Sequence, residues 1–173
     1  MQLTGQTVLV TGGGGFVGSH LVDRLVADNE VRVVDDFSSG RREWVADDAT
    51  VIEGDLTDAG VAAEAITGDL DCVFHFAAAK QVDADEPRRQ FEDNIAMTYN
   101  VLERMDAVGV DRLAYTSSST VYGEAPRPTP EDFGPPEPIS AYGAGKLAEE
   151  GLVSTYAHSH GIQSWVFRFA NIV

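Results

Sequence analysis

The chain is poor in several things at once, and each shortage excludes something. It has a single cysteine, Cys72, so no intrachain disulfide can form, and its place in the apolar run Cys72–Phe76 marks a buried thiol. No stretch of eighteen apolar residues occurs and no basic-then-apolar leader opens the sequence, so a soluble cytosolic protein with no membrane partner is expected. Basic residues are few: 12 Lys and Arg face 28 Asp and Glu, a formal net charge of −16, which makes nucleic acid a poor partner. The acidic residues are spread rather than blocked, as on a strongly hydrated surface adapted to high salt; an ordinary acidic cytosolic protein is the alternative. His20, His75, His158 and His160 show no metal-ligand spacing, and His158 and His160, two apart, cannot share a helix face. No metal is expected. Internal repeats are absent, and 173 residues suit one domain with a real core.

Glycine, by contrast, is abundant where it matters. Thr7–Thr11 is a short apolar run that reads as a buried strand and breaks at Gly12, and an amphipathic segment follows with Phe16, Leu21, Val22, Leu25 and Val26 on one side. Gly12, Gly15 and Gly18 carry the spacing of a phosphate-binding turn. The first permits a tight turn, the second a close approach of backbone to pyrophosphate, and the third close packing of helix on sheet. Amides at such a helix start point at phosphates without help from a cationic side chain. A second strand, Glu30–Asp35, ends in Asp35 and Asp36, seventeen residues beyond Gly18. A carboxylate there accepts from ribose hydroxyls and repels a 2′-phosphate, so NAD is expected in preference to NADP. Arg41 and Arg42 either soften that preference or belong to a solvated turn.

Strand and helix signals then alternate. Strands are expected at Thr50–Glu53, Cys72–Phe76, Leu113–Ser117 and Ser164–Phe169. Helices are expected from Asp58 to Ile66 (capped by Thr57), Pro87 to Val108 and Ala141 to His160. This pattern predicts an α/β fold, a doubly wound parallel sheet of order 3-2-1-4-5-6 with ligands at the carboxyl ends of the strands. Gly123–Ile139 holds six prolines and reads as a substrate-side loop or a rigid surface crossing.

Tyr142 and Lys146 stand one helical turn apart and therefore on one face. A free phenol has a pKa near ~10, and base strength at neutral pH needs roughly 4 kcal/mol of help. A cation about 4 Å away supplies about that much at an effective dielectric near 20. The pair reads as a tyrosinate base with its activator. Before it, Tyr115–Gly123 contributes hydroxyls suited to holding a substrate oxygen; no histidine or carboxylate pattern makes any of these serines a nucleophile.

These motifs, in this order, resemble the extended short-chain dehydrogenase/reductase family, in its branch of NAD-dependent nucleotide-sugar epimerases and dehydratases, and the likeness spans the whole chain. The resemblance implies a Rossmann-type domain. Gly12, Gly15 and Gly18, with Phe16 and Val17 between them, match the cofactor loop, and Asp35 with Asp36 the ribose carboxylate. Asp55 and Leu56 resemble the pair flanking the adenine. Phe76, Ala77, Ala78 and Lys80 are similar to the loop under the cofactor, Lys80 reaching the nicotinamide ribose, and Asn94 matches the asparagine supporting the site. Ser118, Tyr142 and Lys146 match the catalytic set, Lys146 also touching the cofactor. Lys80, Ser118, Ser119, Thr120 and Asn171 fall on the substrate side.

Dehydratases of the family carry an acid just after the catalytic Ser/Thr, where this chain has Ser119 and Thr120. That favours an epimerase of the UDP-glucose 4-epimerase kind, oxidising and re-reducing one sugar carbon with NAD. A dehydratase or a small-carbonyl reductase of the family is the alternative. Family members continue into a lobe that holds the nucleotide-sugar, which is expected to be absent from residues 1–173, leaving this stretch weakly active alone or a non-catalytic NAD-binding module. Helices 87–108 and 141–160 carry surplus apolar residues, among them Phe91, Ile95, Tyr99, Leu147 and Leu152. The resemblance implies that these helices form a homodimer interface.

Overall fold

Strand β1, Thr7–Thr11, organises the molecule by simple alternation. Val8 and Val10 point to one face of the sheet and Leu9 to the other, and all three are fully buried. The computed structural model describes residues 3–79, 86–170 and 172. Over that range, six parallel strands stand in the order β3-β2-β1-β4-β5-β6, with β2 at Glu30–Asp35, β3 at Thr50–Glu53, β4 at Cys72–His75, β5 at Arg112–Ser118 and β6 at Gln163–Phe169. The order is the expected one. It places the reversal of winding between β1 and β4, whose carboxyl ends meet at Thr11 and His75.

Helix α1, Phe16–Leu25, covers one face through Val22 and Leu25, which pack with Val8, Val10, Val31, Val33 and Cys72. Helices α2 (Ala59–Ala65), α3 (Pro87–Val108) and α4 (Ala141–His160) cover the other. Their core joins Leu9, Ile66, Leu102, Met105, Leu113, Tyr115 and Val153, all fully buried. α3 starts on Pro87, ends at Gly109 with φ +79°, and runs 22 residues; α4 is capped by the Ser140 hydroxyl accepting from the Gly143 amide at 3.0 Å.

Three local expectations need correction. Phe16 does not share the buried stripe of α1: it is half exposed, because the first residue of the helix projects past the sheet, and its ring rests on His20. The cap of α2 is Asp58, whose carboxylate accepts from Gly60 N at 2.7 Å, rather than Thr57. Of the apolar surplus on α3 and α4, Met97, Val101, Leu102, Met105, Val153 and Tyr156 are buried within this chain, while Tyr99 remains open to solvent. No helix among the described residues is long and apolar enough to cross a membrane.

Candidate active site

The carboxyl ends of β1, β2, β4 and β5 converge with the starts of α1 and α4, and the predicted site residues gather there. The chain leaves β1 through Gly12, whose φ of +68° suits glycine, and a Cβ on it would stand 2.7 Å from Ala77 N. A Cβ on Gly18 would meet the Gly12 carbonyl oxygen at 2.2 Å, so the helix lies hard against the turn. Gly15 caps α1 without any side-chain hydrogen bond, which leaves the first helical amides available to an anion. Asp35 closes the end of β2. It is buried, accepting from Gly14 N and from Phe37 N at 2.8 Å each. Burial raises its pKa, opposed by those two amides. A glycine cradle, bare helix amides and a carboxylate beside them form a donor and acceptor set that fits a dinucleotide.

Asp36 is exposed and binds the Ser38 amide and hydroxyl. Asp55 is exposed; Leu56 differs from the expectation in that its side chain is committed to the core and its carbonyl accepts from Asn100. Beneath the crevice, Thr11 Oγ1 accepts from the amides of Phe76 and Ala77 at 3.0 Å each. Asn94 is buried and clamps the backbone of Ala79 through both amide atoms. Ala78 lies in the same stretch. Lys80 and Asn171 lie outside the described residues.

On the opposite side, Ser118 ends β5 and its hydroxyl accepts from Thr120 N and Thr120 Oγ1, shaping the turn Ser119–Tyr122. The start of α4 lies on that turn: a Cβ at Gly143 would meet the Thr120 carbonyl oxygen at 2.8 Å. Gly143, next to Tyr142 in the chain, thereby packs on the turn that follows Ser118. A cleft of about 450 Å³, lined by Ser119, Tyr122, Gly123, Arg127, Thr129 and Ile139, opens between the turn and the proline-rich segment.

In this conformation Lys146 is shared among several groups rather than devoted to Tyr142. Lys146 Nζ lies 6.0 Å from the centre of the Tyr142 ring. It donates instead to Glu149 Oε2 and to the Tyr115 hydroxyl, both at 3.2 Å, and lies over the Tyr115 ring. Tyr142 is pushed up to about 12 by burial and then by the Glu149 charge, the reverse of the expected fall. Tyr115 is raised as well, chiefly by burial and then by Glu149.

Glu149 and Thr98 lie outside the motifs, while Tyr115 and His75 stand at the heads of two of them without a role of their own. Thr11 Oγ1 meets His75 Nδ1 at 2.8 Å, His75 Nε2 meets Thr98 Oγ1 at 3.0 Å, and Thr98 Oγ1 donates to Glu149 Oε2 at 2.7 Å. The signal for Glu149 is its place three residues after Lys146, on the same inward helix face.

Comparison with known proteins accords with this site. The NAD dependent epimerase/dehydratase family matches residues 8–173. The chain belongs to that family. Its cofactor is NAD. A UDP-glucose 4-epimerase of Corynebacterium glutamicum is 37% identical over 170 residues, covering 95% of this chain and 51% of its own. A UDP-galactose 4-epimerase crystal structure is 47% identical with a TM-score of 0.89, covering 96% of this chain and 57% of that one. The UDP-glucose 4-epimerase of Thermus thermophilus, crystallised with NAD, is 36% identical with a TM-score of 0.85, over 94% and 54% of the two chains. The chain thus spans about half the length of the relatives it matches.

Proposed function

We propose that residues 1–173 form the NAD-binding and catalytic domain of a nucleotide-sugar 4-epimerase, with the sugar nucleotide held by a lobe outside these residues. The observation that carries this reading is the meeting, at one end of the sheet, of the Gly12–Gly18 cradle and Asp35 with Ser118, Tyr142 and Lys146. When bound in the Gly12–Gly18 cradle with its ribose at Asp35, NAD would supply the hydride acceptor and donor for the sugar carbon. The chain's part is proton handling and placement. Tyr142 takes the proton of the sugar hydroxyl and gives it back, Ser118 holds the same oxygen, and Asp35 holds the adenosine ribose. Ser119 and Thr120 follow Ser118 where an acid would serve a neighbouring carbon, which favours epimerisation over dehydration. The names of the relatives, UDP-glucose and UDP-galactose 4-epimerases, support a UDP-sugar as substrate. Exposed Tyr99 beside buried Tyr156 on α3 and α4 supports pairing of these helices with a second copy.

Calorimetry on this chain is expected to show NAD binding more tightly than NADP. In the protein together with its substrate lobe, NMR is expected to show interconversion of UDP-glucose and UDP-galactose, lost in Tyr142→Phe. Wild-type turnover in that variant would overturn the assignment.

A further inference from the structure

The buried polar chain beneath the site has a determined direction. Thr11 Oγ1 accepts from two backbone amides, so its own hydrogen goes to His75 Nδ1. Thr98 Oγ1 gives its hydrogen to Glu149, so it accepts from His75 Nε2–H. The imidazole is therefore neutral, with its proton on Nε2, and burial together with the Lys146 charge holds its pKa down to about 3. Every hydrogen bond in the run from the cofactor turn points toward Glu149 Oε2, where Lys146 arrives from the other side. Lys146 and Glu149 are both 1% exposed, and Glu149 Oε1 has no hydrogen-bond partner among the described residues.

We infer that Glu149 is a positioning residue: its carboxylate neutralises Lys146 inside the domain and holds the ammonium between itself and Tyr115 of β5, so that Tyr142 becomes a stronger base when Lys146 is drawn from Glu149. A buried carboxylate with one oxygen unsatisfied is costly to keep. Here the cost is offset because Oε2 collects a hydroxyl and an ammonium. Around Lys146 stand Tyr115 on β5, His75 on β4, the Thr98 hydroxyl on α3, and Tyr142 and Glu149 on its own helix. The neighbouring Glu150 is engaged elsewhere, with Arg168 and Ser117. His75 is neutral and Tyr115 protonated, and Glu149 is the carboxylate that meets the ammonium directly, at 3.2 Å.

This inference deepens the epimerase reading and rests on Tyr142 as its base, yet its test needs no turnover. With [13Cζ]-tyrosine in the chain without added NAD, the five tyrosine signals are assigned by Tyr→Phe substitutions. Tyr142 is expected to titrate near 12 in the wild type. In folded Glu149→Gln it is expected to become at least tenfold more acidic, about one pH unit, because the repelling charge is gone and the ammonium released. An unmoved midpoint in the folded variant would overturn the inference. A second measurement stands even if Glu149→Gln does not fold. The chain has two lysines, so [13Cε]-lysine gives two signals, and Lys146 in the wild type is expected to be an ammonium at neutral pH despite its burial, because Glu149 faces it at 3.2 Å. Its titration below about pH 8 would show that Glu149 is not its counter-ion. Loss of epimerisation in Tyr142→Phe tests the base itself, so the two readings fail separately.

Discussion

Acid should destabilise this protein through His75. The ring is 1% exposed, neutral, and held between Thr11 and Thr98, with its pKa lowered to about 3 from 6.5. In the unfolded chain the same ring takes up a proton once the pH drops below about 6.5, while the folded chain refuses it until near 3. A proton bound by the unfolded state alone favours unfolding, so stability is fully present above 6.5 and falls as the pH is lowered through that window. At about pH 4.5 the unfolded ring is ~100-fold in favour of its charged form, so His75 alone removes about 3 kcal/mol relative to neutral pH. That is a large share of the ~5–15 kcal/mol typical of a folded domain. The comparison to make is wild type against His75→Gln, by urea denaturation followed by circular dichroism at about pH 7.5 and 4.5. Carboxylate titration is common to both chains and cancels in the difference. His75→Gln should start less stable, from disturbed hydrogen bonds, but lose about 3 kcal/mol less between the two pH values. Parallel losses in the two chains would refute the reasoning and mean that the buried ring accepts its proton without unfolding.

Gly18→Ala should abolish NAD binding in calorimetry and lower stability by about 1–3 kcal/mol, because the new Cβ falls 2.2 Å from the Gly12 carbonyl oxygen. Asp35→Ala should weaken NAD roughly tenfold to a hundredfold and narrow the gap to NADP, since two amides lose a charged acceptor along with the ribose partner. Light scattering across a salt series should show dimers forming more readily as salt screens the −16 charge; a clean monomer at molar salt and high protein concentration would exclude the helix pairing.

Sheet order was legible because each central strand declares itself by alternation: Val8, Val10, Val31 and Val33 face α1, while Leu9 and Val34 face α2 to α4. The glycine turn after β1 was legible for a different reason, since Gly12 and Gly18 answer to close contacts that any Cβ would violate. Element ends were less so. Asp58 outcompetes Thr57 as cap because its carboxylate reaches the amide two residues on, a local contest between two good cap residues that spacing does not settle. Tyr142 and Lys146 show where pattern reading stops. A four-residue interval fixes a shared face for Tyr142 and Lys146, but an ammonium on that face goes to the strongest acceptor in reach, and Glu149 is a full charge where Tyr142 is a neutral phenol. The acceptor's own support, Thr98 and His75, comes from two other elements and has no signature along the chain.

Strand β6 has consequences for handling these residues. It pairs with β5 over seven positions, and among the described residues nothing pairs with its other side. Its edge lacks the usual deterrents: it contains no proline or lysine, its one arginine is turned inward onto Glu150, and Val166 and Phe167 are exposed. Such a row of free amides and carbonyls is a template for any extended chain, including the β6 of a neighbouring molecule. Mutual repulsion of acidic surfaces opposes the approach of two such edges, so added salt should lower the barrier to strand-to-strand aggregation. A charged residue placed at Phe167 should separate this aggregation from helix pairing, suppressing precipitation at high salt while leaving the helix faces untouched.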